Sequence, residues 1–368
     1  MSLDTQVAKI ELNEAGGIAS VKELINRNLL PLGVTGEMSL IEWYDGRRIP
    51  ASRKNLNELT SLMEGSLGIL LEKSMALSLS DSFWIKPADS PLVWKDVNFF
   101  TNEFTDDIGE FLVSGDGQII SYMSPSNTTD GMYPKKWVII DGFRALIKQG
   151  DWRQNKFDDL NEIFASELLQ ILTRRNDVSY APYFAAGNKM CASFNFVKEG
   201  QNLVSAYRYL LSAGRNPDIW TKRDCYDALL KPFGPAWIHT MLILDFLIFN
   251  CDRHFNNFGF IQDAQTGEVI KPAPIFDSGN SVWAALPFIR VSDIKDSDFT
   301  AKPFAVTHGK QIQLVDLKPF KDELFGIRER VGEIFYRIYK TAPVDRIHID
   351  SMARVVKNRA DTLCKMVN

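Results

Sequence analysis

Three residues in the second half of the chain have types and spacing that could do chemistry: Asp252, Asn257 and Asp277. The first two stand in an Asp-x4-Asn loop, and the third ends a short apolar run in KPAPIFDSG. Phosphoryl transfer needs a carboxylate that orients and deprotonates the attacking hydroxyl, and hard oxygen ligands for magnesium at the nucleotide phosphates. An Asp-x4-Asn loop followed by an Asp after an apolar segment is the sequence form of that arrangement. Each residue taken singly could be a turn former, since Asp and Asn favour turns. Together they hang from a nearly all-apolar run, Met241 to Phe249, before the loop and a short apolar run, Ala273 to Phe276, before Asp277. Polar groups at fixed offsets on buried elements suit a preorganised site better than a solvated loop.

A second cluster lies upstream. Ser124 to Gly131 (SPSNTTDG) holds hydroxyls and a glycine but no large side chain. Two strand-like runs follow, Lys136 to Ile140 and Phe143 to Lys148, joined by the hairpin signal Asp141-Gly142. A small-residue loop whose N–H groups approach an anion, with Lys148 as a fixed positive charge, is what a phosphate-covering loop requires. Ser126, Thr128, Thr129 and Gly131 are its candidate contacts, although it lacks G-x-G-x-x-G and could be an ordinary turn. The helix predicted over Leu160 to Leu172 carries Glu162 near its start. There a carboxylate either meets the helix dipole or pairs with Lys148 to aim it at a nucleotide. Met190 to Val197 reads as a strand turned by Lys198-Glu199-Gly200, and Phe196 on it would be either an adenine contact or core packing.

The elements that must position these residues read as α+β. Val7 to Leu12 and Met38 to Trp43 are strand candidates. Ile49-Pro50-Ala51-Ser52-Arg53 breaks the chain, and a helix is predicted from about Leu56 to Met75, with Ser52 or Asn55 as cap. Its apolar stripe is Leu59, Leu62, Leu67, Leu70 and Leu71. Ser78 to Asp107 reads as loop-heavy. Helices are expected over Leu203 to Leu211, Lys222 to Leu230 and Ala236 to Phe249, then about Lys318 to Lys340 and Asp350 to Met366. Ala284 to Lys310, with Asp293, Asp296 and Asp298, has little periodicity and exceeds the usual connection length.

Composition bounds the alternatives. The 368 residues are 45% hydrophobic and 24% charged, ordinary for a globular protein with two or three lobes. Net charge is −4 and no run of lysines and arginines exceeds a pair, which argues against a dedicated nucleic-acid binder. Four cysteines without a C-x-x-C pair fit a reducing cytoplasm, and the four histidines are too dispersed for a metal cluster. No N-terminal signal is evident, and the apolar runs fall short of the roughly 18 residues that span a bilayer.

With these residues in hand, the pairing of DRHFNN with PIFDSG, the SNTTDG loop, Lys148 and Asn161-Glu162 resembles the HipA-like serine/threonine kinases. The resemblance covers about residues 120 to 330, and Ile49-Pro50-Ala51-Ser52-Arg53 is similar to part of the family's N-terminal subdomain. The Asp-Arg-His-x-x-Asn core is also similar to the catalytic loop of phosphatidylinositol kinases. The implied fold is a two-lobed, protein-kinase-like α+β architecture with a mixed α/β N-lobe and a mainly helical C-lobe. The expected segments are residues 1–115, an N-terminal α+β subdomain; 116–200, the kinase N-lobe with phosphate loop and hinge; and 201–368, the C-lobe.

By the same resemblance Asp252 is the catalytic base, Asn257 and Asp277 are magnesium ligands, Lys148 contacts the α/β-phosphates of ATP and Phe196 lies at the hinge. The family's phosphate loop carries an autophosphorylated serine. The matching position here is Thr128, three residues before Gly131, or nearby Ser126. His254 is expected to structure the loop rather than to catalyse. The implied activity is ATP- and Mg2+-dependent phosphorylation of a protein Ser/Thr hydroxyl in the cytoplasm, with no membrane and no direct nucleic-acid contact. Some relatives are toxins restrained by a small DNA-binding antitoxin, so an antitoxin-like partner is an expectation. A small-molecule or lipid kinase, or a nucleotide-binding regulatory protein without turnover, could use the same residues.

Overall fold

The computed structural model describes residues 1–63, 66–152, 156–174, 178–185, 188–282 and 300–367. In chain order the strands are β1 (Ala8–Leu12), β2 (Ile18–Leu24), β3 (Lys135–Ile140), β4 (Phe143–Lys148), β5 (Ala181–Ala185), β6 (Asn188–Phe194), β7 (Gln201–Ser205), β8 (Gly259–Asp263) and β9 (Val269–Pro272). The helices are α1 (Glu37–Asp45), α2 (Leu56–Met63), α3 (Leu67–Lys73), α4 (Trp94–Val97), α5 (Asp107–Ser114) and α6 (Asp158–Thr173). They continue as α7 (Ala206–Ser212), α8 (Lys222–Phe233), α9 (Pro235–Ile248), α10 (His308–Ile312), α11 (Lys321–Tyr339) and α12 (Arg346–Val367).

The chain divides into two compact units. The first comprises Met1–Lys148, Phe194–Gly214 and Gly259–Ala273, and the second Gln149–Ser193, Arg215–Phe258 and Pro274–Asn368.

In the first unit β1 and β2 pair antiparallel over a core that includes Val7, Val21, Leu40, Tyr44 and Leu71. The β3–β4 hairpin turns through Asp141 (φ 51°) and Gly142 (φ 80°). Two consecutive positive φ angles are what a tight hairpin of this hand requires, and Asp-Gly supplies them. β7, β8 and β9 form a separate antiparallel sheet. Gly259 faces Ser205 in its ladder, where an added Cβ would lie 2.0 Å from the Val204 carbonyl oxygen, so only glycine permits the pairing.

The second unit is mainly helical. α9 is buried from Ile238 to Ile248 and apolar there except for His239, Thr240 and Asp245, as expected of a helix enclosed on nearly every side. α11 packs against α12 and α6, with Leu324, Ile327, Val331, Phe335, Met352, Val356 and Leu363 buried.

Three expectations are corrected. Met38 to Trp43 is not a strand but part of α1. Ser39 Oγ accepts the N–H groups of Thr35 and Gly36, and Leu40 and Tyr44, four apart, are the buried face. Leu56 to Met75 is not one described helix: α2 and α3 are separate, and Leu62 of the expected stripe is 64% exposed. Leu203 belongs to β7 rather than a helix, because Gln201–Ser205 pairs with Gly259–Asp263. Helix α7 starts only after Ser205, whose hydroxyl accepts the Arg208 N–H. Asp293, Asp296 and Asp298 lie outside the described residues.

Candidate phosphotransfer site

The C-terminus of α9 delivers the Asp252 loop. Phe249 ends the helix in left-handed conformation (φ 56°), and the next polar groups are drawn onto the last turn. Asn250 donates from its N–H to the Asp245 carbonyl and from Nδ2 to Asp245 Oδ1 (2.8 Å). Its own Oδ1 accepts the Asp252 N–H at 3.0 Å. The loop then closes on itself. The carbonyl of Asp252 accepts from His254 N–H and from Asn257 Nδ2 (2.9 Å), and the carbonyl of His254 accepts the Asn257 N–H. Because the Asn257 amide nitrogen is used on the backbone, its Oδ1 is the atom left to serve as a ligand. His254 Nδ1 accepts the Asn256 N–H.

Arg253, fully buried, joins this loop to the Asp277 segment. Its guanidinium meets the buried Asp245 carboxylate through Nε (3.0 Å to Oδ2) and Nη2 (3.0 Å to Oδ1). Nη1 donates to the carbonyls of Asn257 (3.0 Å), Phe276 and Asp277 (3.3 Å), and Nη2 also reaches Ser278 Oγ at 2.9 Å. Burial pushes the Asp245 carboxyl up while the Arg253 charge pulls it back. Burial likewise works against the Arg253 cation, and Asp245, together with Asp277 and Glu162, more than offsets it. Asp277 is half-buried with φ 57°, a left-handed residue held by this set of contacts.

α6 holds the same segment from another side. Glu162, buried, accepts the Ser278 N–H at 3.0 Å. Asn161 Nδ2 donates to the carbonyls of Gly279 and Ser281 (both 2.7 Å), and its Oδ1 accepts from the Tyr339 hydroxyl (2.6 Å). Neither the dipole nor an ion pair had suggested this task for Glu162: it fixes the residue after Asp277. A cavity of about 800 Å3 lies on a different face of α6, lined by Leu160, Ile163, Ile171, Met190, Ile334 and Ile338 among others. None of Asp252, Asn257, Asp277 or Glu162 lines it.

In the first unit, the small-residue loop is a short 3-10 turn over Pro125–Thr128. Its hydroxyls are committed internally. Ser124 and Ser126 are buried and donate to the Asp106 carboxylate, which also accepts the N–H groups of Gly109 (3.1 Å) and Trp137 (2.7 Å). Thr128 Oγ1 donates to the Leu77 carbonyl, and Thr129 Oγ1 lies between the Pro125 carbonyl and Trp137 Nε1. Buried Arg53 donates to the carbonyls of Thr129 (2.5 Å) and Asp130 (3.0 Å).

Lys148 is 7% exposed, at the end of β4. The residue directly opposite in the ladder is Lys135, equally buried, and a Cβ on Gly131 (φ 91°) would lie 2.5 Å from Lys135 Nζ. Gly131 therefore lets a second cation lie against the loop. Phe196 is half-buried beyond β6, beside Asn195, whose side chain donates to the Leu79 carbonyl.

The structure thus gathers Asp252, Asn257, Asp277 and Glu162 on one framework, and groups Ser126, Thr128, Thr129, Gly131 and Lys148 on another. Sequence reasoning missed Arg253 and Asp245 as the joint, and Asp106, Arg53 and Lys135 around the loop. The donors at the joint are oxygen atoms of an amide and a carboxylate. Hard oxygens suit magnesium, which keeps waters and phosphate oxygens for the rest of its shell. Among the described residues, no cluster of three or more His, Cys, Asp or Glu is arranged for a metal ion, and no helix is long and apolar enough to cross a membrane.

No family model matches the sequence, and no curated protein matches it. Solved structures do match. HipA of Shewanella oneidensis, in a toxin–antitoxin complex with HipB and operator DNA, superposes with a TM-score of 0.55 at 13% identity. That match covers 100% of this chain and 96% of HipA. The Helicobacter pylori proinflammatory kinase CtkA gives 0.48 at 16% identity, over 63% of this chain and 94% of CtkA. The fold is therefore protein-kinase-like, in the α+β class the sequence implies. Within that class it is HipA-like.

Proposed function

We propose that this chain is a HipA-type kinase that transfers the γ-phosphate of Mg-ATP to a Ser/Thr hydroxyl of a protein. The observation that carries the reading is the attachment of both the Asp252–Asn257 loop and the Asp277 segment to one buried guanidinium, Arg253. Preorganised groups fixed to rigid elements are what phosphoryl transfer asks of a protein, since catalysis there is mainly positioning and electrostatics.

When bound, Mg-ATP would supply the phosphoryl group and a divalent charge at the β- and γ-phosphates, with Asn257 and Asp277 as the protein ligands. Asp252 orients the acceptor hydroxyl and takes its proton. Arg253 and Glu162 keep the Asp277 backbone in its left-handed turn. Lys148, with Lys135 opposite, offers positive charge for the α/β-phosphates beside Gly131. Phe196 is assigned to the adenine contact. Ser126, Thr128 and Thr129 are retained as the phosphate-loop positions, acting through the loop backbone while their hydroxyls hold its shape. Because HipA is seen with HipB, we extend the proposal to a small antitoxin-like protein partner; that complex includes operator DNA, so it lends nothing to the expectation of no nucleic-acid contact.

Incubation of the purified protein with ATP and magnesium, followed by mass spectrometry of the protein and its small molecules, tests the reading. Phosphate on a protein hydroxyl with release of ADP is expected. Transfer only to added small alcohols would assign a small-molecule kinase, and nucleotide binding without ADP would assign a regulatory protein.

A further inference from the structure

The acidic side chain placed as the base has a partner that the reading above does not use. Lys302 Nζ lies 2.9 Å from Asp252 Oδ1, and the two side chains are 49% and 36% exposed. An ion pair this exposed contributes little to stability. The backbone that presents Lys302 is nevertheless held with a rigour that such a pair does not need. Thr300 bridges Thr307, and Ala301 N–H donates to the Val306 carbonyl. Buried Gln311 is used entirely on this hairpin: Nε2 donates to the Lys302 carbonyl (3.0 Å), and Oε1 accepts from Phe304 N–H (3.0 Å) and Ala305 N–H (3.2 Å). Lys222 Nζ adds a bond to the Ala305 carbonyl at 3.0 Å. Phe304 is buried edge-on against Tyr226 and against Phe255 of the Asp252 loop itself, with ring centroids 5.2 and 5.9 Å apart. The hairpin and the loop are thus packed together, and their outward product is one ammonium beside one carboxylate.

We propose that Lys302 is a further catalytic residue of the transfer, contacting the migrating phosphoryl group while it orients the Asp252 carboxylate. The inference rests on the kinase reading above. Among the described residues Asp252 Oδ2 has no hydrogen-bond partner, so with Oδ1 engaged by Lys302 it is the oxygen turned to the acceptor. In the step, the acceptor oxygen forms a bond to the γ-phosphorus and its proton passes to Asp252 Oδ2. The bond from the γ-phosphorus to the β,γ-bridging oxygen breaks, and its electron pair leaves on ADP. Lys302 remains protonated throughout. Its charge stands 2.9 Å from the accepting carboxylate and, with the nucleotide bound, would also meet the phosphoryl oxygens, where negative charge is shared at the transition state.

The test compares wild type, Lys302→Met, Lys302→Arg and Asp252→Asn for ADP formation and protein phosphorylation from Mg-ATP, with KM for ATP and a thermal unfolding curve for each. Lys302→Met is expected to lower kcat by about 10- to 100-fold, with KM for Mg-ATP and the unfolding midpoint unchanged. Lys302→Arg should recover most of that loss, because it restores the charge. Wild-type or raised kcat in Lys302→Met would overturn the proposal, the latter marking the contact as an inhibitory clamp. A loss seen only in KM would overturn it as well. If wild type itself forms no ADP, the kinase reading falls and this inference falls with it. Loss in Asp252→Asn with full activity in Lys302→Met removes this inference alone.

Discussion

Arg253 and Asp245 form a fully buried ion pair, Nη2 to Oδ1 3.0 Å, at the point where the helix carrying the Asp252 loop meets the segment carrying Asp277. A buried pair is weak evidence of net stabilisation, since desolvation opposes the attraction, but removing one member strands the other. Arg253→Met is expected to destabilise the protein by about 3–5 kcal/mol. Arg253→Lys keeps a charge but cannot reach Asp245, Ser278 and three carbonyls with one ammonium, so it should lose most of the transfer activity. Denaturant unfolding of both variants checks this. A variant with unchanged midpoint and full activity would remove Arg253 from its role.

Asn161 ties the Gly279 and Ser281 carbonyls to Tyr339 from within α6. Asn161→Ala leaves buried polar groups unsatisfied and should lower stability by about 2–3 kcal/mol. The effect should extend to weaker Mg-ATP binding, because the segment following Asp277 loses an anchor. Calorimetric titration with Mg-ATP measures it, and wild-type affinity in a destabilised protein would separate the anchor from the ligand.

The small-residue loop depends on Asp106, a half-buried residue whose carboxyl is pushed up by desolvation among its partners. Asp106→Ala removes the acceptor for Ser124, Ser126, Gly109 and Trp137 at once. A loss of about 2–4 kcal/mol and protease cleavage within 124–131 are expected, from the penalty on each buried donor left unmade. Limited proteolysis of wild type and variant reads the outcome.

His308 is buried, and its imidazole is pushed down to about 3 by burial and by the neighbouring Arg359 charge. The unfolded chain binds this proton near 6.5 and the folded one does not, so stability falls as pH drops from about 6.5 toward 3. His308→Gln should therefore lose less stability than wild type between pH 7 and pH 4. The gap should be on the order of a few kcal/mol. Denaturation midpoints at the two pH values check the sign. An equal loss in both proteins would show that His308 is not the group responsible.

Some of this was legible in sequence because the cause was local. Asp141-Gly142 announces its two positive φ angles, and the apolar run up to Phe249 marks a buried helix that ends in a polar loop. Where the cause was distant, the reading failed. Leu203 is a strand residue only because Gly259–Asp263 pairs with it, and Ser39 turns Met38 to Trp43 into a helix through local bonds that an apolar pattern does not display. The site shows the same division. The spacing of Asp252 and Asn257 is visible in the chain, and the structure joins them through the Asp252 carbonyl. That Arg253 would gather the carbonyls of Phe276 and Asp277 is not visible, since carbonyls carry no sequence signal. Asp106 was invisible for a similar reason, being tied to Ser124, Ser126 and Trp137 only through folding.

The most direct measurement is of Mg-ATP binding and of phosphate transfer in Asp252→Ala and Asp277→Ala, side by side. Asp252→Ala should bind Mg-ATP as wild type does and transfer no phosphate, whereas Asp277→Ala should fail in both. A wild-type rate of transfer in either purified, folded variant would contradict the role given to that residue and, with it, the kinase reading.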